Sequence, residues 1–539
     1  MKSLRFEFAA VVLCRFLLGL ATAQSDVAID SGQGSAVPNV QRSSAARPSR
    51  SEPAKQEPPV GFAGSASYSS GGIAPTSVAM ADLNGDGKLD LVVANGGTST
   101  VGVLLGNGDG TFEAPVTYGS GGGEPLAVAI GDLNGDGIPD VVVTNVFANG
   151  GEGGDSDVSV LLGNGDGTFQ APVAYDSGGY YPGSVVIADL NGDGVPDLVV
   201  ADDCPAGGCN PDGAVAILLG HGDGTFRPPV NYDSGGFSAW SAAVGDVNGD
   251  GIPDLVVVNQ GTCETCPNSS VGILLGSGNG TFQPASTYIS GPNESFSVAI
   301  GDLNGDGYPD LVVSTECAQT GTCSSSGGIN VLIGNGNGSF QAPIPYDSGA
   351  LGPLKVVMAD VNGDGFLDLV VAECGGEAGC YGYGDVGVLL GNGDGTFQTA
   401  INYGSGGGYS TSIAVADLNG DGKPDVVVTN NNAANLGVLL NNTVPAKTSL
   451  TLASSPNPSQ IDQPVTFIAT VFSTRAIPNG STVTFAHGKT VLGTGLTREG
   501  VASLTTSFVH ANTYEIKASY SGDAFHKTSS GAVKQVVNR

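Results

Sequence analysis

The chain has 539 residues, more than one ordinary domain needs, and its 87 glycines follow no three-residue period, which excludes collagen. Charged residues make up only 13% of it, yet the formal net charge is -32. That sign argues against a nucleic acid partner and in favour of bound cations.

Lys2 and Arg5 precede a short apolar run, and Ala21-Thr22-Ala23 supplies small residues for cleavage. Residues 1–23 therefore read as an export signal. The run is too short for a stable membrane span, so no membrane insertion is expected. Residues 24–59 are rich in Ser, Pro and Gln and poor in apolar side chains, which predicts a disordered linker.

Residues 60–443 carry a repeat. The pattern D-x-N-x-D-G-x-x-D starts at Asp82, Asp132, Asp189, Asp246, Asp302, Asp360 and Asp417, at spacings of 50 to 58 residues. A period in this range means an array, solenoid or propeller. In the second copy the runs "AVAIGD", "DVVVTN", "VSVLLGN" and "TFQAPVAY" are apolar or alternating. They are broken by the Asp loop, a variable segment and "NGDG", and Asn-Gly between strands is a strong hairpin signal. Four antiparallel strands in each of seven units predict an all-β, seven-bladed propeller. The residue before each motif is Ala or Gly, as a crowded central channel requires. The seventh repeat stops after Leu436–Asn442, and Gly61–Tyr68 is expected to supply its missing strand.

The Asp loop carries the chemistry. Carboxylates and an amide at positions 1, 3, 5 and 9 can turn their oxygens toward one point, and like charges there repel unless a cation intervenes. Ca²⁺ takes six to eight oxygen ligands. The expected side-chain ligands are Asp82, Asn84, Asp86 and Asp90 in the first loop, and Asp132, Asn134, Asp136 and Asp140 in the second. They are Asp189, Asn191, Asp193 and Asp197 in the third, then Asp246, Asn248, Asp250 and Asp254 in the fourth. Loops five to seven give Asp302, Asn304, Asp306 and Asp310; Asp360, Asn362, Asp364 and Asp368; and Asp417, Asn419, Asp421 and Asp425. The Lys88 carbonyl is a fifth ligand for the first ion, and water would complete the shell. An EF-hand is excluded because position 12 is Val93 rather than Glu. A plain Asx-turn hairpin is the alternative, and sevenfold repetition favours about seven Ca²⁺. Those ions would bring the charge from -32 to -18.

These residues resemble the FG-GAP/VCBS repeat family, whose propeller heads the integrin α subunit. "GTFQAPV" is the segment nearest to the family's FG and GAP signatures. The resemblance implies a propeller whose Asp loop joins the first two strands of a blade and binds Ca²⁺.

Eight cysteines remain after the signal is removed. They form the close pairs Cys204/Cys209, Cys263/Cys266, Cys317/Cys323 and Cys374/Cys380, each between the second and third runs of its repeat. Disulfides are expected in an exported chain, with zinc as the alternative. These variable loops should share a face with the "SGG" connections, opposite the Asp loops. Tyr180, Tyr181, Phe237, Trp240, Tyr381 and Tyr383 fall on that face. They are candidate ligand contacts, or else merely cover loop backbone.

Residues 444–539 lose the repeat and show seven short alternating strands, the pattern of a β-sandwich. "PVTFIATV", "GSTVTF" and "YEIKASYSGD" are similar to bacterial Ig-like repeats. "DSGG" recurs at Asp176 and Asp233, and as "DSGA" at Asp347, which marks a turn rather than a nucleophile. With only four His, no triad can be assembled. The chain thus reads as a secreted or surface, bacterial, monomeric adhesion or binding protein for an extracellular protein or glycan. A lectin is the close alternative and a polysaccharide lyase or glycosidase the distant one.

Overall fold

Each repeat opens with a strand of small and β-branched residues, exemplified by Pro75–Ala81. The second strand, Asp90–Asn95, is buried along its whole length. Neighbouring sheets cover both its faces, which is why "DLVVAN" reads as a continuous apolar run instead of alternating. The third strand, Thr100–Leu104, is nearly as buried, and the fourth, Val116–Gly119, is largely exposed at the outer edge. The structure, a computed structural model, describes residues 60–148, 156–205, 213–261, 269–291, 294–316, 327–375 and 384–539. The leader, the linker, Cys209, Cys263, Cys266, Cys317, Cys323, Cys380, Tyr381 and Tyr383 lie outside the described residues.

These strands form seven four-stranded antiparallel sheets, six of them in chain order. The first strands touch one another in a closed circle: Pro75–Ala81, Gly122–Gly131, Gly179–Ala188, Ala239–Gly245, Ser295–Gly301, Pro353–Ala359, Ser410–Ala416, then back to the first. The seventh sheet takes its fourth strand from Ala66–Ser69, which pairs with Asn435–Leu439, and Phe62 bridges to Asn441. The fourth run of each repeat is split, unlike the single strand its sequence predicts. In the second blade Phe169 makes one bridge to Gly163 and the strand proper is Val173–Asp176. Pro172 stands between them and has no N–H to give to a ladder.

Three contacts hold adjacent blades together. Apolar clusters join them, for example Val142, Val158 and Val160 against Val185, Leu198 and Val200. A tyrosine of each outer strand meets the "TF" phenylalanine of the next blade edge-on, as in Tyr118–Phe169 at 5.7 Å and Tyr175–Phe226 at 5.6 Å. The last such pair, Tyr403–Phe62 at 5.1 Å, closes the circle with the N-terminal segment. Serine hydroxyls near the centre accept N–H bonds from the following blade: Ser412 from Val78, Ser77 from Val128, Ser184 from Ala242 and Ser297 from Val356. In the sixth blade Lys355 occupies this register position. The small residue before each Asp loop has a related cause: a Cβ on Gly131 would lie 3.2 Å from Ile187 of the next blade, and one on Gly301 2.8 Å from Met358.

The C-terminal region is a sandwich of a three-stranded sheet on a five-stranded one. Val465, Phe467, Ala469 and Val471 point inward along Val465–Ser473, and the residues between them face outward, the period-two pattern of a half-buried strand. Phe467, Phe485, Ile516 and Tyr520 fill the core.

Candidate functional site

The Asp loops turn sharply because glycine takes the left-handed region at both turning points, Gly85 at φ 74° and Gly87 at φ 81° in the first loop. Asp82 accepts N–H bonds from Gly85, Asp86 and Gly87 at 2.8, 3.1 and 2.8 Å. Asn84 Oδ1 accepts from Asp86, and Asp86 Oδ1 from Lys88. The same pattern recurs from loop to loop, for instance at Asp246 and Asp417.

The ninth-position carboxylate sits lower. Asp90 is fully buried, with Oδ2 on the Leu83 N–H at 2.9 Å and Oδ1 on the Gly106 N–H at 2.7 Å. It thereby straps the Asp loop to the "NGDG" turn of its own blade. Asp140, Asp197, Asp254, Asp310, Asp368 and Asp425 do the same. Burial raises the pKa of all seven, against the lowering effect of those N–H bonds. The rise reaches about 6 at Asp425 and about 8 at Asp368. A divalent ion in the loop would reverse that push.

Among the described residues no three carboxylate, His or Cys side chains gather closely enough to form a metal-holding group. The donor set nevertheless suits a hard cation. Every candidate is an oxygen, and each carboxylate oxygen that accepts one N–H keeps a lone pair for an ion. The first, fifth and ninth carboxylates of a loop lie within electrostatic reach of one another. Lys88 reaches Asp86 at 3.2 Å and Lys423 reaches Asp421 at 2.9 Å.

The opposite end of the second strand carries a polar ring that sequence reasoning missed. Asn95, Asn145, Asn259 and Asn430 are buried there, and each donates Nδ2–H to the carbonyl of the serine preceding its blade: Ser70, Ser120, Ser234 and Ser405, at 3.0 to 3.2 Å. The equivalent residues in the third, fifth and sixth blades are Asp202, Thr315 and Glu373. Both oxygens of Asp202 and Oε2 of Glu373 are buried without a hydrogen-bond partner. Burial pushes Asp202 well above the usual carboxylate range and Glu373 up to about 8. The signal was present in sequence as the residue five after each ninth-position Asp, which is Asn in four copies.

On the same face, five of the first strands have a left-handed residue at or beside their start: Ala74, Glu124, Tyr181, Ser238 and Tyr409 have φ between 52° and 60°. A bulge follows in every blade, and Trp240 is the bulged residue of the fourth. Tyr180, Tyr181, Phe237 and Trp240 are all half-buried. The structure brings the third and fourth blades' members together here. A Cβ on Gly183, two residues after Tyr181, would lie 2.5 Å from the Trp240 carbonyl oxygen. Tyr181 is also within electrostatic reach of Glu124 and Asp203, which with its burial raises its pKa. Cys204 and Cys374, the two described members of the cysteine pairs, are buried at the ends of second strands on this face.

The FG-GAP-like repeat model matches residues 82–143, 145–200, 206–257, 262–313, 320–371 and 378–428, stretches that contain all seven Asp loops. A bacterial Ig-like domain (group 3) matches residues 450–538. Integrin alpha-PS5 of Drosophila melanogaster is 31% identical over 158 residues, covering 26% of this chain and 15% of that protein. Phosphatidylinositol-glycan-specific phospholipase D of Rattus norvegicus is 34% identical over 162 residues, 25% of this chain and 18% of that one. The chain thus spans less than a fifth of the length of these relatives. A solved BBS1N–ARL6DN complex aligns with TM-score 0.44 and 14% identity over 71% of this chain and 97% of the matched one. Among the described residues no helix is long and apolar enough to cross a membrane.

Proposed function

This chain belongs to the FG-GAP-like repeat family and carries a bacterial Ig-like domain after the repeats, and from that premise we propose that it is an exported, calcium-stabilised binding module for an extracellular protein or glycan. The observation that carries the reading is the division of labour between the two faces. One repeats a single acidic loop seven times, as a structural ion site would. The other carries half-buried aromatics on a strained, bulged backbone at the third and fourth blades. Strained backbone costs on the order of 1–3 kcal/mol and persists where the surroundings enforce it, commonly at binding sites.

In this reading the seven loops hold about seven Ca²⁺ and tie each first hairpin to its turn. The four cysteine pairs are local disulfides that stiffen the recognition face. Cys204 and Cys374 support this by standing at the mouths of the loops that hold their sequence partners. Tyr181 and Trp240 stack on a sugar ring or anchor a protein loop. The reading is one of binding rather than catalysis, in keeping with the repeat family and with a sequence that offers no catalytic triad. The phospholipase named among the relatives shares too little of its length to lend its activity.

A glycan array and a panel of extracellular matrix proteins, probed in millimolar Ca²⁺ with the native chain and Trp240→Ala, test the reading. Binding that disappears in the variant while the melting temperature moves little supports it. Destabilisation of about 3–5 kcal/mol with affinity intact would make Trp240 a core residue instead.

A further inference from the structure

The sixth Asp loop differs from the other six. The C-terminal sandwich lies on it: a Cβ added to Gly363 would fall 2.0 Å from Cδ2 of Phe525. Asn362, the third-position amide, is buried to 3% exposure, whereas its counterparts Asn84, Asn134, Asn191, Asn248, Asn304 and Asn419 are half-buried. Those counterparts turn Oδ1 onto the N–H two residues on. Asn362 instead points Nδ2 at Asp368, 3.5 Å away, and its buried Oδ1 has no hydrogen-bond partner.

The sandwich also brings a charge. Arg475 lies within electrostatic reach of Asp360 and Asp364, the first and fifth positions of this loop. Its guanidinium is pinned, donating from Nη1 to the Phe525 carbonyl at 3.2 Å and resting 5.7 Å from the centre of the Phe525 ring. Lys88 and Lys423, which pair with the first and seventh loops, come from the loops themselves. Arg475 comes from another domain and is held where it is.

We propose that the sandwich is a cover for the sixth ion site, with Arg475 standing in for the cation, so that docking of the sandwich and Ca²⁺ at this loop oppose each other. The proposal rests on the calcium reading above. A fixed guanidinium near a divalent ion repels it, so the sixth loop of the docked chain should bind Ca²⁺ about tenfold or more weakly than the other loops. Removing the charge opens the site, and the unpartnered Asn362 oxygen then gains an ion to face.

Calorimetric Ca²⁺ titration of the full chain tests this with three variants. Arg475→Gln should add one tight site to the wild-type count, and Arg475→Lys, which keeps the charge, should not. Asp360→Asn should leave the tight count of the native chain unchanged, yet remove one tight site in the Arg475→Gln background. If Arg475→Gln fails to fold, Asp360→Asn in the otherwise native chain still decides. An unchanged count supports the proposal, and a count lower by one overturns it. Identical titrations of wild type and Arg475→Gln would overturn the proposal and leave calcium binding intact. An absence of binding in every form would sink the calcium reading itself.

Discussion

The largest fully buried side chains of the sandwich, Phe467, Phe485 and Tyr520, share one core, whereas those of the propeller are Leu and Ile divided among seven clusters between blades. Each propeller cluster spans two neighbouring blades, and polar devices add to it: the buried ninth-position Asp in all seven blades, the Asn-to-serine bond in four and the serine stitch at four of the junctions. The sandwich needs few of these because its two sheets hide one continuous apolar layer. Stability in the propeller is therefore spread over many equivalent contacts, apolar and polar, repeated from blade to blade. In the sandwich it is concentrated in a few aromatic ones.

Removing Ca²⁺ should separate the two regions most strongly. With a Kd near ~10⁻⁴ M and ~1 mM Ca²⁺, each loaded loop contributes ~1.4 kcal/mol, and several loops act on one ring. Trp240, the only tryptophan, lies in the propeller, so its fluorescence reports that region alone. A chelator should lower the fluorescence-detected melting temperature while the sandwich's own calorimetric transition holds. An unchanged fluorescence transition would mean the loops are plain turns.

Phe467→Ala should do the reverse. It removes a fully buried ring from the single core and should cost about 3–5 kcal/mol, seen in the sandwich's calorimetric transition, with the Trp240 transition nearly in place. Equal shifts in both signals would show that the two regions unfold as one.

The polar ring of the propeller can be tested at a single position. Asp202→Asn restores the amide found in four other blades, places a donor opposite the Ser177 carbonyl and removes a buried carboxylate. It should stabilise the propeller by about 1–3 kcal/mol at neutral pH, measured by urea unfolding.

Glu373 makes the same point through pH. Its carboxyl is held up to about 8 in the folded protein against 4.5 ordinarily. The folded state thus keeps a proton that the unfolded chain has already lost. This contribution to stability is present in full below pH 4.5 and is lost as pH rises to about 8. Glu373→Gln should flatten that slope, and a wild-type profile parallel to the variant's would refute the assignment. Lys355→Ser should have the smallest effect, a gain of about 1 kcal/mol read as a modest rise in the Trp240 transition. It replaces a cation whose pKa burial lowers with the serine that other blades use to stitch inward.

Much of this was legible in the chain itself. The fixed period, the Asn-Gly turns and the strand-length runs determined the all-β repeats, because short-range turn chemistry and the two-residue period act locally. The Asp loops were legible for the same reason, since their carboxylates bond to N–H groups a few residues away. The alternating strands after residue 444 likewise announced a sandwich.

The remaining features arise between elements distant in the chain. That Phe62 would complete the ring of tyrosine–phenylalanine pairs depends on a contact spanning 341 residues. That "TFQAPVAY" would break at its proline depends on the outer edge of a blade. That both oxygens of Asp202 and Oε2 of Glu373 would be left without partners depends on carbonyls 25 residues away and on the burial that adjacent blades impose. That the sixth Asp loop would differ from its six copies depends on Phe525 and Arg475, more than a hundred residues further on. A shared motif makes closely similar loops; the packing of one domain on another sets one of them apart.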